Sequence, residues 1–448
     1  MKNKQINTAR GAALKTLDQV LQKGAYSNLQ LNQVLKNSQL SAVDKRLATN
    51  LVYGVLQHKL TLEYWLAPFI KGKKTESWVK TLLLMSIYQY QYLDRIPDWA
   101  VTNESIELAK TLGNPGTRRF VTGVLHAILR QGLRSASDIQ DPIKRRSVEF
   151  SLPKWLVEEL TKQYGQRTAD EIFAAINEPA RVSLRVNLAK TTISQAINVL
   201  KEQGVEIEKS QVARDGLVVK SGDVINTQAF LDGLVTIQDE SAMLAVESMQ
   251  VESSNQVLDA CAAPGGKTVQ IAAALDVKSG GSVTALDIHP HKIKLIEKNA
   301  QRLGVADRVH ACRLDARKVD EKFADESFDK ILVDAPCSGI GLLRRKPEIR
   351  YDKKLSDSLQ LHEIQLAILN AVAPKVKKGG IMTYSTCTIL QQENDGTVQA
   401  FLAAHPDFKL LKTQTARALK NARTGATLTI LPSDYGSDGF FISSLQRL

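Results

Sequence analysis

Three patterns in the sequence predict a multidomain protein: an all-α bundle, then a small α+β module, then an α/β domain of the doubly wound, Rossmann-like kind. Apolar residues recur at i, i+3, i+4 spacing through about residue 135. Residues 150–230 mix helices with short alternating strands. Beyond residue 232, strand-like runs alternate with helical ones, which implies a parallel sheet. The domains expected on these grounds are 1–140, 150–230 and 232–448.

In the first region "ARGAALKTLDQVLQKG", "DKRLATNLVYGVLQHKLTLEYWLAPFI", "SWVKTLLLMSIYQYQYL" and "TRRFVTGVLHAILRQGL" read as helices. The breakers "KGKKT", "RIPDW" and "GNPGT" separate them, and polar "RSASDIQDPIKRR" reads as a linker. The second region opens with two helices in "LPKWLVEELTKQYGQRTADEIFAAINEP". In "RVSLRVNLAK" Val182, Leu184 and Val186 share one strand face. The helix "TISQAINVLKEQG" follows, then short strands within "VEIEKSQVARDGLVVKSGD".

The third region supplies the strands "QVLDACA", "SVTALDI", "RVHACRLD", "FDKILVDAP" and "GGIMTYSTC". Its helices include "KTVQIAAAL", "HKIKLIEKNAQRLG" and "QLHEIQLAILNAVAPKV". "DYGSDGFFISSL" reads as a last hairpin strand. Ligands bind at the C-terminal ends of strands in such sheets. Those ends carry Asp259, Asp287, Asp315, Asp334 and Cys387.

Composition narrows the class. Apolar residues make up 43% and charged residues 24% of the 448, as in soluble globular proteins. No apolar run has the length of a membrane span, and the basic, amphipathic N-terminus lacks the apolar core of a signal peptide. Four widely spaced cysteines without a CxxC fit neither a disulfide framework nor a zinc site, so a reducing cytoplasm is expected and no metal. The net charge of +12 is uneven: residues 1–150 hold 22 Lys and Arg against 11 Asp and Glu, the remainder 37 against 36. A basic domain joined to a near-neutral one suggests a polyanionic partner, most simply nucleic acid. A solvated basic surface explains the charge equally well.

"VLDACAAPGGKT" is a strand, a glycine turn and a helix start, a place where backbone approaches a ligand and negative charge is favoured. It misses the phosphate-loop pattern, because Cys261 stands at the first glycine position, and GxGxxG is absent. S-adenosylmethionine (SAM) fits better. Asp287, about 20 residues on, is placed to take ribose hydroxyls, and Asp315 to accept from an adenine amino group. Cys261, Ala262, Ala263, Pro264, Gly265, Gly266 and Lys267, with Asp287, Asp315 and Asp334, form the expected cofactor set.

"DACAAPGGKT", "DAPCSG" and "STC" resemble the motifs of the RNA cytosine-C5 methyltransferases, the Nol1/Nop2/Sun family, over residues 150–448. "ARGAALKTLDQVL" and "DKRLATNLVYGVLQHK" resemble, more loosely, the NusB-type RNA-binding domain. The resemblance implies SAM-dependent methylation of one cytosine in bacterial 16S rRNA. A monomer with no membrane partner is expected. It makes Cys387 the thiol that adds to carbon 6, Cys337 the group that assists product release, and Asp334 the holder of the cytosine N3 and amino group. Only a thiol combines adequate nucleophilicity near neutral pH with the ability to leave again. An Asp334 that donates a proton needs a raised pKa, which burial would supply.

DNA cytosine-C5 methyltransferases use the Pro-Cys cysteine as nucleophile, which keeps Cys337 open for that role. Cys312 reads as core, and Gly439, Phe440 and Phe441 as structural. Arg344, Arg345, Lys346 and Arg350 in "RRKPEIR" read as phosphate contacts or a solvated loop. The same chemistry on tRNA, a P-loop NTPase and a non-enzymatic antitermination-type RNA binder are the competing functions.

Overall fold

The computed structural model describes residues 7–419 and 425–448. The first six residues, where the expected absence of a signal peptide partly falls, lie outside the described residues. The chain forms two compact units, one of residues up to Asn177 plus Leu343–Lys353, the other of Glu178–Leu342 plus Lys354–Leu448.

The first unit is helical. Thr8 caps Ala9–Lys23, whose end is set by Gly24 in the left-handed conformation. Ser27–Lys36, Ala42–Gln57, Lys59–Ile70, Ser77–Tyr92, Asp98–Leu112 and Pro115–Gln131 follow. Their apolar faces meet in one core that includes Leu14, Leu17, Leu51, Val55, Leu62, Leu82, Leu83 and Leu125. The run expected as one helix over residues 44–70 breaks at His58. The segment expected as a linker, residues 134–146, runs into the helix Pro142–Glu149: Asp141 accepts from the amides of Ile143 and Lys144, and Pro142 sits at the first helical position. Capping chemistry there outweighs a polar composition. Lys154–Tyr164 and Gln166–Ala175 complete the unit's helices before residue 177.

In the second unit β1 (Val182–Val186), β2 (Glu206–Lys209), β3 (Gly216–Ser221) and β4 (Val235–Ile237) form an antiparallel sheet in the order β2-β3-β1-β4. Leu184 and Val186 are buried as the alternation requires, while Val182 is exposed. Arg185, on the opposite face, is buried too, donating to the Gln238 side chain at 2.8 Å.

The larger sheet comprises β5 (Gln256–Asp259), β6 (Ser282–Asp287), β7 (Val309–Arg313), β8 (Phe328–Asp334), β9 (Val376–Thr386), β10 (Phe408–Leu411), β11 (Leu428–Ile430) and β12 (Phe440–Arg447). The order is β10-β12-β9-β8-β5-β6-β7, with β11 paired to β12. β5 to β9 run parallel; β12 is antiparallel to β9, β10 and β11. The sheet is therefore mixed, with antiparallel strands added beyond β9. Strand order reverses between β5 and β8, and the crevice outside the strand ends opens at such a switch point.

Candidate active site

β5 and β8 end at the switch point with Asp259 and Asp334, and β9, the next strand, ends one residue before Cys387. The turn after β5 begins the helix Gly266–Ala274. Gly265 adopts φ +100°, and a Cβ there would lie 3.1 Å from the Ile296 backbone, so glycine is required. A cavity of about 170 Å³ is lined by Gln238, Asp259, Cys261, Ala262, Ala263, Pro264, Gly266, Lys267 and Asp334, among others. A larger cavity of about 480 Å³, against Arg185, Arg214 and Glu247, includes none of the sequence-motif residues in its lining.

Asp259 is fully buried. One carboxyl oxygen accepts from Thr268 at 2.7 Å and the other, Oδ1, has no partner. Burial pushes its pKa up to about 7, against the lowering effect of Thr268 and with the Asp334 charge adding to the rise. Burial likewise raises the Cys261 thiol. Lys267 Nζ lies 2.7 Å from Asp334 Oδ2 and 4.9 Å from the centre of the Phe440 ring. Burial acts to lower the Lys267 pKa, but the Asp334 charge and hydrogen bond outweigh it and the pKa is raised. Asp334 Oδ1 accepts from the Ser385 hydroxyl at 2.9 Å. In place of an enclosing apolar wall, Asp334 thus has an ion pair and a hydroxyl.

The two expected reactive thiols meet. Cys337 Sγ and Cys387 Sγ are 3.2 Å apart. The hydrogen bond to Cys387, then burial, raises the Cys337 pKa well above the ordinary thiol value. Gly341 brings the two turns together: its N–H donates to the Cys387 carbonyl at 3.0 Å, and a Cβ would collide with the Gly439 and Cys387 carbonyls.

Asp287 and Asp315 are outside this cavity's lining. Asp287 accepts from the His289 amide and lies 3.6 Å from Lys292; Asp315, two residues past β7, is joined to Arg317 at 2.6 Å. Cys312 is half-buried against the core, with Lys322 Nζ 3.0 Å from its sulfur. Arg350 is no phosphate contact. It is fully buried in the first unit, where it donates to the carbonyls of Gln57 and Ser151 and to Asn177 Oδ1. The reading of the sequence passed over Gln238, Glu393 and Asn394. For Glu393 and Asn394 the one available signal was position, with two residues between them and "STCTIL".

Among the described residues no group of three or more His, Cys, Asp or Glu is placed to hold a metal, and no helix is long and apolar enough to cross a membrane.

Fold and strand-end array together are those of a Rossmann-like methyltransferase. Residues 246–446 match the family described as 16S rRNA methyltransferase RsmB/F, residues 7–130 the NusB family, and residues 152–225 the ferredoxin-like domain of the RsmF/B-like methyltransferases. The chain is 46% identical to the probable ribosomal RNA small subunit methyltransferase B of Bacillus subtilis, over 98% of this chain and 99% of that protein. It is 32% identical to ribosomal RNA small subunit methyltransferase B of Serratia proteamaculans, over 98% of each. The crystal structure of PH0851 shares the fold, with a TM-score of 0.83 at 23% identity over 98% of this chain and 99% of that one. The chain therefore belongs to the RsmB/F family of rRNA methyltransferases, enzymes that draw on a SAM-type methyl donor.

Proposed function

We propose that the protein transfers a methyl group from SAM to carbon 5 of a cytosine in 16S rRNA, through a Cys387 adduct at carbon 6. The observation that carries this reading is the 3.2 Å approach of two thiols at the strand ends, with the Cys337 pKa raised by that contact and by burial. A pair of packing cysteines has no need of that contact at a strand-end crevice.

The residues present fit the donor. The turn after β5 leaves a cavity at a helix N-terminus, and Asp259 is among the residues that line it. When bound, SAM supplies an electrophilic methyl group. Cys387, as thiolate, adds to carbon 6, which breaks the ring's aromaticity and makes carbon 5 nucleophilic. The electron pair displaced from the ring is met by a proton at N3. The Lys267–Asp334 pair is the site's means of holding that proton, since Lys267 is kept charged and touches the carboxyl that faces the base. After methylation, solvent takes the carbon 5 proton; its bonding electrons return to the ring, Cys387 leaves as thiolate, and the N3 proton returns to the Lys267–Asp334 pair. Cys337, in contact with Cys387, assists that last step.

The test uses the full chain, tritiated SAM and 16S rRNA, with tRNA alongside. Cys387→Ala is expected to abolish methyl transfer, and Cys337→Ala to leave RNA covalently attached to the protein. Wild-type turnover by Cys387→Ala would exchange the roles of the two thiols or remove the adduct altogether. Label found in tRNA alone would keep the chemistry and discard the substrate.

A further inference from the structure

Two adjacent residues, Glu393 and Asn394, bind the two thiol-bearing turns. Both are fully buried. Glu393 Oε2 accepts from the Ser338 amide at 2.8 Å and from Gln365 Nε2 at 3.2 Å, and Oε1 accepts from the Ser358 hydroxyl at 2.9 Å. Gln365 Nε2 also donates to the Pro336 carbonyl at 3.0 Å. The residues on each side of Cys337 are therefore held, one by Glu393 directly and one through Gln365. Asn394 does the same for Cys387: its Oδ1 accepts from Thr386 at 2.6 Å, and its Nδ2 donates to the Thr388 carbonyl at 3.0 Å. A bond between the Ser338 and Thr388 hydroxyls at 2.8 Å closes the ring.

We propose that Glu393 and Asn394 are positioning residues that set the spacing and mutual orientation of Cys337 and Cys387. The turns leave two neighbouring strands, and the strand ladder ends before the cysteines; past that point the Gly341 amide to the Cys387 carbonyl ties the turns by backbone, and the side chains of Glu393 and Asn394 hold the residues that flank each thiol. A carboxyl buried among neutral donors is a costly way to fill a core that an aliphatic side chain would fill as well. Local violations of that kind concentrate where a site must be held. The consequence for catalysis rests on the two-thiol reading above; the consequence for spacing does not.

The experiment is arranged to keep those apart. Diamide oxidises two adjacent thiols to a disulfide, both thiol hydrogens passing to its N=N bond. Without RNA or SAM, the rate of the Cys337–Cys387 cross-link, read by peptide mass, measures thiol spacing in the full-length protein. Glu393→Ala is expected to slow it at least ~10-fold, in line with the cost of an ångström-scale misplacement. Glu393→Gln keeps one acceptor for Ser338, and Ser358 can turn to accept from the new amide, so the rate should recover to near wild type. Asn394→Asp keeps the acceptor for Thr386 but sets an oxygen against the Thr388 carbonyl, and should slow the cross-link as well. Should Glu393→Ala not fold, the Glu393→Gln and Asn394→Asp pair carries the comparison.

Wild-type cross-linking in folded Glu393→Ala or Asn394→Asp would overturn the proposal, as would absence of the cross-link in the unsubstituted protein. Slowed cross-linking with unchanged kcat would uphold the clasp and overturn the two-thiol mechanism.

Discussion

At the residue scale, Asp259 shows how the site departs from ordinary folding logic. It is buried, half-satisfied and carries a pKa raised to about 7. A raised folded-state value means that the folded chain holds a proton the unfolded chain has already lost above the ordinary carboxylate pKa. Between about pH 4 and 7 stability should therefore fall as pH rises, by up to about 1.4 kcal/mol per unit from this group, then level off. Asp259→Asn should remove that slope while keeping an acceptor for Thr268. The check is hydrogen exchange of the β5 amides, corrected for intrinsic rates, in both proteins across that range. Equal slopes would mean that Asp259 is solvated and its burial misread. Such a residue is legible in the sequence as a strand-end carboxylate, because "VLDACAAPGGKT" announces the turn. Its unpaired oxygen is not legible, because what surrounds the carboxyl is set outside the strand: Gln238 and Ala242, which line the same cavity, lie in the segment before it.

At the scale of elements, local patterns carried the parallel strands and most long helices, whose periodicity or caps lie within a few neighbouring residues. They failed where partners are distant. Ser338 and Glu393 are 55 residues apart, and Arg350 and Gln57 are 293 apart; no window along the chain contains either pair. The segment Leu343–Lys353 is the clearest case. Its charges suggested a surface loop, yet it is built into the first unit. Glu348 accepts from the Ser27 amide and hydroxyl, and Tyr351 shares a hydrogen bond with the Ser151 hydroxyl. Arg350→Met would fill the volume but take the guanidinium from the Gln57 carbonyl and Asn177 Oδ1, each such loss costing about 1–3 kcal/mol. The four tryptophans, Trp65, Trp78, Trp99 and Trp155, all belong to this unit. Their emission in urea should therefore show a transition moved to clearly lower denaturant. An unmoved midpoint would mean that water replaces the guanidinium at no cost and that the segment is held by Glu348 and Tyr351.

At the scale of the whole molecule, the charge imbalance becomes a statement about how RNA is held. The basic excess lies in residues 1–150, and the exposed members include Lys71, Lys74, Arg118 and Arg119. Lys73 ties two of these stretches together, with its ammonium 5.6 Å from the centre of the Phe120 ring. Deleting residues 1–140 is a poor test of their role, because Ser27 and Gln57 would leave with them and Leu343–Lys353 would lose its seat. Replacing Lys71, Lys74 and Arg118 by Gln leaves the core untouched. Loss of each side chain that meets a phosphate should weaken rRNA binding, most strongly at low salt, and flatten the slope of log K against log [salt] by roughly 0.7–0.9. Binding measured from low to high salt separates that outcome from its opposite. If the triple variant keeps both affinity and slope, these cations are a solvated face and the RNA is gripped elsewhere. If affinity falls with the slope unchanged, the substitutions act on shape and not on phosphate contact. A reduced slope, with methyl-donor binding unaltered, would assign the first unit the task that its charge suggests: capture of a polyanion, while the chemistry stays at the strand ends of the second.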